Sequence, residues 1–158
     1  MSMAENKALR KHWWVIYGVV LTVLAYNLIC HYFDAQIQYD IGDDKRVLIR
    51  TLLYIAAIAL LPLTNLLRFV LIRLNQTMPG DKTAEERYFT TIVSTQLVIE
   101  LIASFGLIMF ILGDGDNTLY IFSVMALLGA GLHRPKQQDL DSIKAALQTP
   151  NHVPKGGR

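Results

Sequence analysis

Glu100 interrupts an otherwise uncharged run of 25 residues, 88–112. An ionisable group inside such a run is costly in hydrocarbon and is a functional candidate by default. Gln96 lies one turn before it and Ser104 one turn after, so the three share one helix face. Because facing lipid would be costly, that face must look into a bundle or onto another protein. A carboxyl placed there can do two kinds of work. It can bond to a neighbouring helix, contributing about 1 kcal/mol per polar contact. It can also pass a proton or cation. No basic residue lies at its depth. We read a polar packing seam first and an ion pathway second.

The other polar residues of the apolar runs are fewer. Asn27 and His31 are four apart and share a face near the end of the first run. A membrane haem needs a second axial ligand at matching depth. His12, His133 and His152 all lie in segments expected outside the bilayer, so no haem is expected. No second ligand set suggests a metal. Asp114 and Asp116 resemble the start of a calcium loop, but the later ligands are missing, so a plain solvated turn is expected. The single cysteine, Cys30, excludes an intrachain disulfide. Pro62 should kink its helix near Asn65. Arg68, Arg73, Arg134 and Lys136 stand at a boundary where they can reach anionic headgroups. No phosphate loop, dinucleotide turn, nucleophile elbow, H-E-x-x-H or C-x-x-C motif is present, and no enzyme or cofactor is expected.

The elements that position these residues follow from where charge is absent. The chain has 158 residues, 53% apolar and 18% charged, with a net charge of +2. Its mean hydropathy is +0.33. Soluble domains carry about 25% charge, and nothing here suggests nucleic-acid binding. Runs without charge cover 13–33, 51–67 and 117–132, beside the run that holds Glu100. A crossing helix needs about 20 such residues, with a range of roughly 17–25. The first run is apolar around its whole circumference, unlike a soluble amphipathic helix. It is too long for a signal-peptide core and reads as a retained helix. We therefore expect an all-α polytopic membrane protein with four transmembrane helices in two hairpins. The expected spans are 13–33, 50–72, 88–112 and 117–133.

Four crossings put the two ends and the second loop on one side. That side holds 12 basic residues and the other only Lys45, Arg46 and Arg50. The positive-inside rule then makes residues 1–12 and the tail, 135–158, cytoplasmic. Thr83 and Glu86 have capping-box spacing before the third span. In the tail, Leu140, Ile143 and Leu147 recur at helical spacing, which predicts a short amphipathic helix over 138–148. It could lie on the membrane, pack under the bundle or dock on a partner. The closing HVPKGGR segment should be disordered. Gly18, Thr22, Ala126 and Ala130 have the small-residue spacing of helix contacts.

The stretch IELIASFGLIMFIL resembles the outer helix of rotary ATPase proteolipid subunits. The resemblance covers the third span alone. Those subunits need a glycine-rich partner helix, and the first span here has only Gly18. We read the similarity as convergence on a generic buried-carboxyl helix. The expected role is a non-catalytic accessory or assembly subunit, in the bacterial inner membrane, bound to other membrane subunits or to itself. The alternatives are a proton or cation pathway through Glu100 and a lipid-binding membrane module.

Overall fold

A computed structural model describes residues 3–148, and the closing HVPKGGR segment lies outside the described residues. The described chain is all-helical: α1 Met3–Ile37, α2 Asp43–Thr77, α3 Ala84–Ile111, α4 Asp116–Leu132 and α5 Gln137–Gln148. Three segments, Leu9–Phe33, Asp43–Thr77 and Ala84–Ile111, are long and apolar enough to cross a membrane. The fourth apolar helix, α4, has 17 residues and is shorter than these. We call the end of the bundle that holds α5 the tail end.

Local sequence explains most boundaries. α2 begins after Gly42, whose φ of 83° favours glycine. α3 opens on a capping box: Glu86 N donates to Thr83 Oγ1 at 3.3 Å, and Thr83 N donates to Glu86 Oε2 at 3.0 Å. Thr83→Ala should speed amide exchange in the first turn of α3 by about five-fold, the usual weight of an N-cap side chain. Hydrogen exchange read by mass spectrometry checks this; an unchanged rate would mean the cap does not hold that turn.

Non-helical dihedrals occur inside α1, at Phe33, with φ −115° and ψ 19°. α2 continues through Pro62 as one 35-residue helix. Pro62 and Asn65 are both exposed.

The helices do not pack as two successive hairpins. α1 and α2 barely touch, and each packs instead on α3, which also packs on α4 and α5. The most apolar long helix is thus the one with neighbours on most sides. Ile99 and Ala103 of α3 meet Val19 and Val23 of α1 and Ala126 and Ala130 of α4. Ile102, Phe105 and Met109 of α3 meet Ala57 of α2 and Phe122 of α4. At the tail end, Leu140 and Ile143 of α5 bury against Leu9, Tyr88 and Ile92. Of the placements open to the amphipathic helix, the structure has it packed under its own bundle.

Arginines lock both ends. Arg87 is buried in the α2–α3 turn. Its guanidinium donates to the carbonyls of Asn75, Met78, Gly80 and Lys82 at 2.6–3.1 Å. Helix C-termini leave carbonyls unpaired, and this side chain satisfies that of Asn75 in the last turn of α2 and three in the residues that follow it. At the opposite end Arg46 donates to Gly113 O at 3.1 Å and pairs with Asp40 and Asp43. Arg50 pairs with Asp114 at 3.1 Å. The turn after α3 is therefore not plainly solvated: Asp114 is buried, because Arg50 draws it inward.

Large apolar side chains cover the outside. Leu21, Leu24 and Leu28 of α1, Leu52, Ile55 and Ile58 of α2, and Leu128 and Leu132 of α4 are all exposed. A contiguous apolar exterior of this kind marks a membrane or partner surface.

Candidate functional site

α1 and α3 leave a groove of about 300 Å³ between them. Gly18, Thr22 and Tyr26 line it from α1, and Gln96, Leu97 and Glu100 from α3. The groove exists because the α1 wall lacks bulk. A Cβ added at Gly18 would meet nothing within 4 Å. Thr22 Oγ1 turns back to Gly18 O at 2.9 Å and so offers the groove no free hydroxyl.

The α3 wall is polar and incompletely bonded. Gln96 is only 1% exposed. Its Nε2 donates to His133 O at 3.4 Å, while its buried Oε1 receives no donor among the described residues. Glu100 is half-buried. The Tyr26 hydroxyl faces its carboxyl, yet among the described residues neither carboxyl oxygen has a hydrogen bond of ordinary geometry. Buried acceptors are normally satisfied, so each exception calls for a cause. Gln96 Oε1 and the Glu100 carboxyl can accept hydrogen bonds from a donor that seats in the groove and displaces the side chains covering them.

Other predicted residues are distributed differently. Ser104 shares the helix face but donates to its own backbone, at Leu101 O, 2.7 Å away. Asn27 and His31 are not brought together. Asn27 donates to Ser123 Oγ of α4 at 2.9 Å and to Val23 O at 2.7 Å. His31 is exposed and stacks edge-on against Tyr32. Of the small-residue set, Ala126 and Ala130 are helix contacts, whereas Gly18 lines the open groove.

Arg68, expected to reach headgroups, has its side chain turned inward instead. It is 6% exposed and points into the bundle. Nη2 and Nε donate to Asp139 Oδ2 of α5 at 2.7 and 3.2 Å. Nη1 donates to His133 O at 2.6 Å, and Nη2 also to Arg134 O and to the Tyr88 hydroxyl at 3.1 Å. One side chain thus joins α2, α3, α5 and the carbonyls that follow α4. Tyr88 and Asp139 were missed from the sequence. A signal existed for Asp139, which lies four residues before Ile143 and hence on the buried face of α5. Arg73, Arg134 and Lys136 are exposed. Arg73 lies over the Phe69 ring at 5.6 Å.

Among the described residues, no group of three or more His, Cys, Asp or Glu could hold a metal. The chain matches no protein-family model, no curated protein and no solved structure.

Proposed function

We propose that this chain is a non-catalytic accessory or assembly subunit of a membrane complex, and that the α1–α3 groove is where it docks a helix of another subunit. In this reading α4 is the fourth crossing, and both ends and α5 face the cytoplasm of a bacterial inner membrane. The 12-to-3 division of basic residues supports that orientation. The observation that carries the docking role is the buried, donor-less Gln96 Oε1 beside the Glu100 carboxyl in a groove open at its side. Polar groups hold helices together in lipid, where apolar packing alone gives little preference for protein over tails. Purification from native membranes in mild detergent tests the role. A stable complex is expected, and a lone monomer would remove the reading.

A second reading rests on a row of polar groups. Asp139, Arg68, the His133 carbonyl and Gln96 are linked by successive hydrogen bonds. They set polar groups from α5 to within one turn of Glu100; because Arg68 and Gln96 both donate to the His133 carbonyl, a proton would move along this row only on water beside it. Glu100→Gln separates the two readings, because the amide keeps the shape and can still donate a hydrogen bond. An assembly seam should survive it, with association changed less than about five-fold, the weight of one interhelical bond. Proton flux in vesicles should be the same for both forms. Flux present in the parent and lost in the variant would establish the path instead.

A further inference from the structure

We infer that the occupant of the groove is a second copy of this chain, inserted by the outer face of its α2 at Asn65. This rests on the docking role proposed above. Asn65 is exposed on α2, and its side chain makes no hydrogen bond to another described residue. Its neighbours on that surface, Leu66 and Phe69, are exposed and apolar. An amide on a lipid-facing surface leaves two donors unpaired, and polar side chains at such positions normally face protein.

Its height matches the groove. Asn75 Nδ2 bonds to Arg87 O and Thr91 Oγ1, which sets the level of α2 against α3. Asn65 lies ten residues further along α2, about 15 Å at the helical rise. The same climb along antiparallel α3 starts between Arg87 and Thr91 and ends near Ile99. That is the turn holding Gln96 and Glu100. Donor and acceptors therefore share one depth but lie on different surfaces of one chain. A second copy, related by an axis along the membrane normal, keeps that depth and brings them together. Such pairing of one surface with another also forms closed rings when the rotation permits. The groove has room for it, since Gly18 opens one wall and Leu97 at the rim is 64% exposed.

A photo-reactive benzophenone side chain at position 97, in place of Leu97, tests this in native membranes. The expected product has twice the chain mass, with the crosslink on the α2 peptide around Asn65. Asn65→Leu should lower its yield roughly three- to thirty-fold, the range for one interhelical polar bond. Asn65→Gln, which keeps the amide, should restore part of it. The substituted residue is exposed, so the fold is expected to persist. A crosslink to a different protein would overturn the self-association while leaving the docking role standing. A crosslink to a second copy outside α2, or a yield indifferent to Asn65→Leu, would overturn the Asn65 contact. Adducts to lipid alone, with a monomer in mild detergent, would overturn both.

Discussion

Arg68→Ala should destabilise the bundle by about 3 kcal/mol, the lower part of the range for removing one partner of a buried ion pair. Its side chain is 8% exposed and that of Asp139 is 24% exposed, so water compensates the aspartate only in part. The loss extends beyond that pair. The Arg134 carbonyl loses a donor at 3.1 Å, and the His133 carbonyl keeps only the longer bond from Gln96. Tyr88 keeps its bond from Lys136 N at 2.7 Å. Lysine is a poor substitute at this site, because a compact ammonium cannot reach two helices and a carboxylate in one plane. Asp139→Asn should cost less than Arg68→Ala, since the arginine keeps its carbonyl partners. Arg73→Ala should stay within about 0.5 kcal/mol, as for exposed residues generally. Denaturant titration in mixed micelles gives the three values. Hydrogen exchange over Leu140–Ile143 should rise most in Arg68→Ala, less in Asp139→Asn and not in Arg73→Ala. Equal effects of Arg68→Ala and Arg73→Ala would mean that the arginine is not the fastener of α5.

That arrangement shows what the sequence could and could not convey. Charge-free runs gave the apolar helices their places, because burial in hydrocarbon excludes charge over a length set by the bilayer. Helix ends were less legible. α2 starts at Asp43, seven residues before the crossing expected from 50, and the added turns carry Arg46 and Arg50 paired to acids. Periodicity gives the face of a helix but not its neighbour. Asn27 was therefore visible as polar within its run, while its bond to Ser123 of α4 was not. Arg68 read as a boundary residue for the same reason, since its partners are 20 to 71 residues away. Gln96 and Glu100 were legible as a pair, one turn apart on one helix. That their groove would be walled by Gly18 rather than filled by α1 required the packing.

Gly106→Ala should destabilise the chain by about 1–3 kcal/mol, the cost of overpacking a well-filled interior. Alanine ordinarily favours a helix over glycine by about 1 kcal/mol, so the expected sign opposes propensity. Contact with α4 decides it. A Cβ at this position would lie 3.0 Å from Phe122 Cβ, 3.1 Å from Leu119 O and 3.2 Å from Leu119 Cα. Two of those atoms are backbone and the third is fixed to it, so no rotamer change relieves the clash. α4 must move away from α3. Phe122 would move with it, and its ring stacks on Tyr54 of α2 at 4.8 Å and meets Phe105 of α3 edge-on at 6.0 Å. Gly129→Ala is the control at the same interface. There the new methyl meets only Ile99 Cγ1 at 3.3 Å and Ile99 Cδ1 and Leu61 Cδ2 at 3.4 Å, all on side chains that can turn. It should stay within about 0.5 kcal/mol of the parent, as propensity offsets crowding. Gly18→Ala meets no described atom within 4 Å and should raise monomer stability by up to about 1 kcal/mol while crowding the groove. Titrations of the three variants should therefore rank Gly106→Ala lowest, and crosslinking from position 97 should be weakened by Gly18→Ala alone. A Gly106→Ala chain as stable as the parent would show that α3 and α4 are not held at this spacing. The common core that places Gln96 and Glu100 beside α1 would then need a different basis.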